Sequence, residues 1–273
     1  MVKIAIASDL HREITPEAKV RALAACIAAE QPDLTILAGD LGTPLDDFAA
    51  CLACFADLPG AVAVLAGNHD VWALGGRHSQ TLWEHDLPAA THAAGMLWLE
   101  EAVWRRAGVA VVGSMAWYDY SGVDPTIRPR SPRDFARAKR RYNNDARFVD
   151  WPWSDLEMAS RLDDALCDRL MRLESDPAVR GVLVVTHVPV FEAQMERRPL
   201  DPRWGFSNAY FGNLTLGRRL SASSKLRAVV SGHTHVGRSG YVDRPGAPDD
   251  PVPVAVIASD YGAPAYVTIE ADW

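Results

Sequence analysis

The chain has 273 residues and a mass of 29.8 kDa, which suits one large domain or two small ones. Hydrophobic residues make up 48% and charged residues 23%, a balance typical of a soluble globular protein and not of a disordered one. The net charge of −7 argues against a generally basic surface that wraps duplex nucleic acid, so nucleic acid is not an expected partner.

The sequence also argues against a membrane protein. No apolar run approaches the roughly 20 residues that a bilayer-spanning helix needs, and the first residues, MVKIAIASDLH, lack the basic leader of a secretory signal. We therefore expect a cytoplasmic protein without a membrane partner. The sequence does not indicate an oligomeric state.

Strands and helices alternate in the first third of the chain. Short apolar runs predict strands over 2–7, 34–38 and 61–66. Helices are predicted over 16–30, with Thr15 as the N-cap, and over 46–58. Cys51 and Cys54 lie in the second helix, where a lone CxxC without a nearby His pair is more typical of core packing than of a zinc or redox site.

The rest of the chain repeats the pattern with more strand. Apolar runs predict five strands, over 108–113, 181–186, 226–231, 252–258 and 265–270, and a helix over 156–173. Residues 117–153 form an irregular stretch rich in Arg, Pro, Trp and Tyr. Continuous apolar strands separated by helices indicate an α/β fold whose sheet is covered on both faces.

Histidines carry the strongest functional signal. Five of the eight follow apolar strands directly, beside Asp, Asn or Gly: His11, His69, His187, His233 and His235. Buried polar groups are costly unless something satisfies them, and one shared cation would satisfy all of these at once. His78, His85 and His92 lack such neighbours and are expected to be ordinary surface or partly buried residues.

The five histidines belong to an ordered set of five short motifs. They are Asp9-Leu10-His11, Gly39-Asp40, Gly67-Asn68-His69-Asp70, His187 and Gly232-His233-Thr234-His235. In this order they resemble the DxH, GD, GNH[DE], H and GHxH blocks of the calcineurin-like metallophosphoesterase superfamily, and in particular its small bacterial phosphodiesterase branch. No linker divides the sequence convincingly, so a single domain over 1–273 is expected, and the resemblance implies a four-layer α/β/β/α sandwich of two mixed β-sheets flanked by helices.

The resemblance also implies a dinuclear metal centre. One ion would be held by Asp9, His11 and His235, the other by Asn68, His187 and His233, and Asp40 would bridge them through its two carboxylate oxygens. Nitrogen and oxygen ligands without thiolate suit Mn²⁺, Fe or Zn²⁺, among which Mn²⁺ is favoured.

A mechanism accompanies these assignments. A hydroxide bridging the two ions would attack phosphorus in line, and the resemblance assigns His69 to protonate the departing alkoxide. Asp70 either orients a histidine, namely this catalytic one or a ligand His, or holds the loop in place. In the protein Ser/Thr phosphatase branch an Asp three residues after the bridging Asp partners the catalytic His, whereas Thr43 stands there in this chain.

Substrate contacts are not identified by the sequence. Residues 117–153 are expected to form a lid over the metals, in which Arg side chains grip phosphate and Trp117, Tyr118 or Tyr142 contacts an aromatic group. The alternative is a helix over 135–147 with a solvated basic face. Residues 204–208 are a candidate for the opposite wall.

The sequence favours a metal-dependent phosphoesterase that acts on a small-molecule phosphodiester such as a cyclic nucleotide. A phosphomonoesterase is the alternative, because His187 is followed by Val-Pro where many diesterases have a second His nearby. A non-catalytic scaffold ranks lower, since no ligand position is missing, and a nuclease is disfavoured by the acidity of the chain.

Overall fold

Two mixed β-sheets form the centre of the molecule. A computed structural model describes residues 1–128 and 130–273. Within these residues the strands are β1 Val2–Ser8, β2 Leu34–Ala38, β3 Ala61–Leu65, β4 Leu97–Trp98, β5 Trp104–Arg106, β6 Val109–Ser114, β7 Gly181–Thr186, β8 Leu226–Ser231, β9 Arg238–Arg244, β10 Ala247–Val256 and β11 Ala265–Ala271. The first sheet has the order β11-β1-β2-β3-β4, and the second the order β5-β6-β7-β8-β10-β9.

Most strands within each sheet run parallel. In the first sheet β1 to β4 are parallel and only β11 is antiparallel, pairing Val2 with Ala271. In the second sheet β6, β7, β8 and β10 are parallel, while the outer strands β5 and β9 are antiparallel to their neighbours. The loops that follow β1, β2 and β3 therefore leave from one edge of the first sheet, and those after β6, β7 and β8 leave from one edge of the second.

The sheets pack face to face because alternate strand residues point to opposite sides. Ile4 and Ile6 of β1 share a buried cluster with Leu183 and Val185 of β7, so this cluster lies between the sheets. Ala5 and the other alternate residues belong instead to a larger cluster that includes the helices. Strands buried on both faces explain the continuous apolar runs in the sequence.

Helices cover the outer face of each sheet. Their bounds are α1 Glu17–Ala29, α2 Leu45–Ala53, α3 Ser79–Thr81, α4 Leu87–Ala93, α5 Pro132–Tyr142, α6 Asp145–Phe148, α7 Asp155–Glu174, α8 Pro202–Ser207 and α9 Leu214–Leu220. A π-helical segment, Leu82–Asp86, joins α3 to α4. Helix α1 contacts β11 and α4 contacts β4, whereas α7 contacts β6 and α9. The predicted sandwich of two mixed sheets flanked by helices is confirmed.

Several predicted helix boundaries differ from the structure. Pro16, not Thr15, is the N-cap of α1, because the Thr15 hydroxyl oxygen accepts a hydrogen bond from Gly262 N at 3.2 Å instead. Helix α2 ends at Ala53, earlier than predicted. The helix predicted over 135–147 is divided into α5 and α6, since the backbone of Asn143 is extended. Cys51 and Cys54 are both buried, as a role in core packing requires.

Helix α7 carries one buried cation that supports the second sheet. Arg169 is 5% exposed, and its guanidinium donates to the carbonyls of Leu99 at 2.6 Å and Gly113 at 2.8 Å. Burial raises the pKa of the neighbouring Glu100 to about 7, although the charge of Arg169 opposes this rise. Arg169 thus satisfies groups that water cannot reach.

We expect Arg169→Met to lower the free energy of unfolding by about 3–5 kcal/mol, because it leaves buried carbonyls and a buried carboxyl without their cation. Urea denaturation measures this change. The exposed Arg172 on the same helix is the control, and Arg172→Met should change stability by less than about 0.5 kcal/mol. Equal effects of the two substitutions would contradict the assignment.

Among the described residues, no helix combines the length and the apolar character that a membrane crossing requires.

Candidate metal centre

Loops after five strands bring the predicted side chains to one place. His11 follows β1, Asp40 follows β2, His69 follows β3 and His187 follows β7, while His233 and His235 share the loop after β8. The five histidines thus belong to four strand ends. Most of the set lies beneath the surface: Asp9, His11 and His187 are 0% exposed, Asp40 1% and Asn68 3%.

The backbone of these loops folds back sharply at the side chains themselves. Asp9, His11, Asp40, His233 and His235 all adopt a positive φ, between 42° and 74°. Residues other than glycine seldom adopt this conformation, and it clusters at functional sites. Gly39 also has a positive φ, and a Cβ there would lie 2.6 Å from Gly67 N and from His187 Nδ1. Only glycine allows the loops after β2, β3 and β7 to approach this closely.

Among the described residues three groups have metal-ligand geometry, of which Asp9, His11 and His235 form the first; another, His11, Glu13 and His69, shares His11 with it. One candidate ligand atom from each residue of the first group lies within 4.8 Å of the others. His11 Nδ1 faces Glu13 Oε1 at 3.3 Å, and a carboxylate can only accept, so this nitrogen carries the proton. The lone pair is then on Nε2, which is buried and has no hydrogen-bond partner among the described residues. A buried nitrogen without a partner is what a metal ligand requires.

The second group consists of Asp40, His187 and His233, whose candidate ligand atoms again lie within 4.8 Å of one another. Asn68 joins it, since its Oδ1 lies 3.1 Å from His187 Nε2 and 2.9 Å from His233 Nδ1. The other ring nitrogen of each histidine faces a backbone carbonyl. His187 Nδ1 lies 3.0 Å from the carbonyl oxygen of Ala38, and His233 Nε2 lies 3.1 Å from that of Tyr210.

These contacts with backbone carbonyls determine which ring nitrogen of His187 and of His233 carries the lone pair. A carbonyl oxygen can only accept, so the ring nitrogen that faces it is the protonated one. In the neutral imidazoles the lone pairs of His187 Nε2 and His233 Nδ1 therefore face each other and the oxygen of Asn68. Three lone pairs that converge in a buried place repel unless a positive charge lies among them, either a proton on His187 or a metal ion, so this donor set can hold a divalent ion in place of that proton.

Asp40 belongs to the second group and also faces the first. Its Oδ2 is 3.6 Å from His11 Nε2 and 3.4 Å from His187 Nε2, whereas its Oδ1 accepts the His69 backbone N–H at 2.8 Å. The sequence predicts a bridge through both carboxylate oxygens. The structure instead directs a single oxygen at both groups.

Charges in the site favour an added cation. Burial raises the pKa of a carboxyl, yet the charges of His187, His69 and His11 hold the pKa of Asp40 well below its usual range. Burial lowers the pKa of His187, but Asp40 and Asp9 raise it to about 10. Burial and the charge of His187 lower the pKa of His233 to about 4. Without a metal ion, His187 thus keeps its proton beside Asp40. A divalent ion in the same place would supply more positive charge.

His69 and Asp70 have different surroundings. The His69 ring stacks on Trp72 with 3.7 Å between ring centroids and meets His11 edge to face at 4.8 Å. Burial lowers the pKa of His69, which makes its protonated form a stronger acid. The Asp70 carboxylate accepts four backbone N–H groups at 2.8–3.1 Å, those of residues 40, 41, 42 and 67. Of the two roles that the sequence leaves open for Asp70, these contacts favour holding the loops.

A cavity of about 270 Å³ lies beside the metal-ligand groups. Aromatic and amide side chains make up much of its wall: Trp72, Tyr142, Asn143, Asn144, Trp204, Phe211 and Tyr261. Tyr142 and Trp204 are where the sequence places them, whereas Trp117 and Tyr118 are fully buried in the core.

The described basic residues of the predicted lid do not line this cavity. Residue 129 of that stretch lies outside the described residues, and none of the described basic side chains of 117–153 lines the cavity. Seven arginines are exposed: Arg128, Arg130, Arg133, Arg137, Arg140, Arg141 and Arg147. Lys139 is buried and pairs with Asp155 at 2.5 Å. For these residues the structure matches the alternative, a solvated basic face.

Other histidines and two unpredicted residues complete the description. His78, His85 and His92 are exposed and lie outside the cavity wall, as expected. Glu13 contacts His11, and its place two residues after the DxH motif is a signal that the sequence offered. Asp145 contacts Asn68 at 2.8 Å, and nothing in its irregular surroundings indicates this.

Comparisons with known proteins agree with this geometry. A family model described as calcineurin-like phosphoesterase matches residues 2–237. Three solved structures share the fold. Phosphopantetheinyl hydrolase from Mycobacterium tuberculosis has a TM-score of 0.68, 19% identity and coverage of 97% of this chain and 95% of that one. A dimetal phosphatase from Danio rerio has a TM-score of 0.57, 14% identity and coverage of 98% and 91%. A protein of Thermus thermophilus has a TM-score of 0.54, 12% identity and coverage of 96% and 90%. No curated protein sequence matches the chain significantly.

Proposed function

Because the chain belongs to the calcineurin-like phosphoesterase family, we propose that this metal-dependent phosphoesterase hydrolyses a phosphodiester of a small molecule. The observation that carries the proposal is the composition of the cavity wall, whose described residues include no Lys or Arg. A phosphomonoester carries nearly two negative charges at neutral pH and is commonly held by guanidinium or ammonium groups. A diester carries one charge, which metal ions alone can balance.

The two groups of ligand atoms are proposed to hold two divalent ions. Asp9, His11 and His235 hold one, and Asn68, His187 and His233 hold the other. Asp40 belongs to both through Oδ2. Such a pair of ions, Mn²⁺, Fe or Zn²⁺, supplies activation of water and neutralisation of charge at phosphorus when bound.

His69 is the proposed general acid. Its ring borders the cavity beside the ligands and is held face to face by the Trp72 indole. A proton on the His69 imidazole can pass to the oxygen of the departing alkoxide, which is a poor leaving group without it. Asp70 keeps the loops after β2 and β3 together and so positions both Asp40 and His69.

The leaving group is proposed to be neutral and at least partly aromatic. Three aromatic rings line the cavity: Trp204 and Phe211, with centroids 5.4 Å apart, and Tyr261, whose centroid lies 4.6 Å from that of His235. Such faces stack on a nucleobase, so cyclic nucleotides are suitable candidates. A phosphopantetheinyl ester belongs in the same screen, because the Mycobacterium tuberculosis neighbour is named for hydrolysis of that group.

Diester preference is tested by comparing bis-p-nitrophenyl phosphate with p-nitrophenyl phosphate in Mn²⁺. We expect kcat/KM to be at least about tenfold higher for the diester, since no protein cation binds the second charge of the monoester. Introducing a cation by Asn144→Arg in the cavity wall should reduce that ratio about tenfold, while Ala136→Arg on exposed α5 should leave it unchanged. A wild-type preference for the monoester would refute the proposal.

A further inference from the structure

A buried carboxylate from the predicted lid touches the second group of ligands. Asp145 begins α6 and is 1% exposed. Its Oδ1 accepts the Asn68 Nδ2–H and the Trp72 Nε1–H, each at 2.8 Å, and its Oδ2 accepts the Tyr118 hydroxyl at 2.9 Å. A buried carboxylate is costly unless donors surround it, and these three donors come from two separate parts of the chain.

We propose that Asp145 is a positioning residue, which fixes the side-chain orientations of Asn68 and Trp72. It thereby positions a ligand of the second metal site and the indole on which the His69 ring stacks. This inference rests on the proposed function, since it assigns Asn68 to a metal ion and His69 to proton transfer.

The first part of the argument concerns the Asn68 amide. An amide has an oxygen on one side and an NH₂ group on the other, and only the oxygen has lone pairs for a metal ion. With Nδ2 donating to Asp145, Oδ1 faces His187 and His233. The flipped amide would place its oxygen 2.8 Å from the Asp145 carboxylate, where two acceptors repel. Asp145 therefore selects the orientation that presents oxygen to the ion.

The second part concerns Trp72. The indole is held between the His69 ring, at 3.7 Å, and the Phe148 ring, at 4.6 Å. Its only polar atom donates to the same Asp145 oxygen that receives the Asn68 amide. One carboxylate oxygen thus sets the angle of a proposed ligand and of the ring on which the proposed acid rests.

The chain contains a matched carboxylate that lacks these connections. Asp155 is also buried, at 8% exposure, and also accepts an indole N–H, a tyrosine O–H and a third donor: Trp117 at 2.8 Å, Tyr120 at 2.6 Å and Lys139 at 2.5 Å. None of these partners belongs to the proposed metal ligands. Loss of Asp155 should therefore perturb the same region of the fold without disturbing the ions.

Metal binding tests the proposal. Wild type, Asp145→Ala, Asp145→Asn and Asp155→Ala are stripped with chelator and dialysed against a series of buffered Mn²⁺ concentrations, and bound Mn²⁺ is counted by mass spectrometry. We expect two ions in the wild type. In Asp145→Ala the second should bind about 10–100-fold more weakly, while the first is unchanged. Asp145→Asn should retain both ions, because its Oδ1 still accepts the two N–H groups and its NH₂ donates to the Tyr118 oxygen.

Asp155→Ala should bind both ions like the wild type, even if its melting temperature falls as far as that of Asp145→Ala. Two ions in the wild type with unchanged binding in Asp145→Ala would overturn this inference and leave the proposed function standing. Equal weakening in Asp155→Ala would also overturn it, since the effect would then be one of general stability. Should Asp145→Ala not fold, Asp145→Ser carries the same expectation. Absence of bound Mn²⁺ from folded wild type would overturn both proposals.

Discussion

Replacing Asp40 by Asn is expected to lower kcat/KM for bis-p-nitrophenyl phosphate by at least about 10³-fold and to remove at least one bound ion. The substitution keeps the size of the side chain, tolerates the positive φ of 54°, and preserves an oxygen for the His69 backbone N–H. It removes the negative charge and allows an NH₂ group to face His11 and His187, where Oδ2 now lies at 3.6 and 3.4 Å. Since that oxygen is proposed to belong to both ions, its loss affects both.

Activity and Mn²⁺ content should be measured on the same preparation. Asp46→Asn is the control, because Asp46 lies exposed in the first turn of α2 on the same connection after β2. Its activity and metal content should equal those of the wild type. If Asp40→Asn kept two ions and full turnover, Asp40 could not be the shared ligand and the two-ion arrangement would have to be abandoned.

The sequence predicts the central strands well, because their burial is recorded in their composition. Strands β2, β7 and β8 have the predicted bounds, since a strand covered on both faces must be apolar throughout. Strand β9 is exposed at alternate positions and contains Ser239, Gly240 and Asp243, so it has no such run. Strand β4, with two residues, is too short to leave a pattern.

The candidate metal centre is also readable from the sequence, for a topological reason. In parallel strands the residue after each strand lies at the same edge, so a polar residue there is placed by the fold and not by its neighbours in sequence. Asp9 and Asn68 follow strands of the first sheet and are found together on this ground, whereas His187 follows β7 of the second sheet and reaches Asn68 because the two sheets pack face to face. Asp145 follows no strand, and its contact with Asn68 spans 77 residues. Nothing local determines that contact.

In the basic stretch 117–153, by contrast, the charge of the sequence does not by itself indicate where the charged side chains lie. Eight Lys and Arg residues in 117–153 suggest a phosphate grip, but charge in sequence does not indicate direction in space. Helix α5 buries Phe135 and Lys139 and turns Arg133, Arg137 and Arg140 to solvent. The helix period, applied with Phe135 as the anchor of the buried face, would have indicated this.

Removal of the proposed general acid is expected to have the second large effect. His69→Ala should lower kcat about 10²–10⁴-fold for a diester with an alkoxide leaving group, such as a cyclic nucleotide, because the ring no longer supplies the proton. For bis-p-nitrophenyl phosphate the loss should be much smaller, since p-nitrophenolate departs without protonation. Mn²⁺ content should stay at the wild-type level, because the His69 ring is assigned to proton transfer and not to an ion.

The comparison of leaving groups separates proton donation from a structural role. A His69 that merely supported the Trp72 indole would, when removed, slow both substrates by the same factor. Exposed His92 on α4 provides the matched control, and His92→Ala should leave both rates unchanged. If His69→Ala instead lost both ions, His69 would be a metal ligand, consistent with its position within 4.8 Å of His11 and Glu13. Proton transfer would then have to come from another group that borders the cavity.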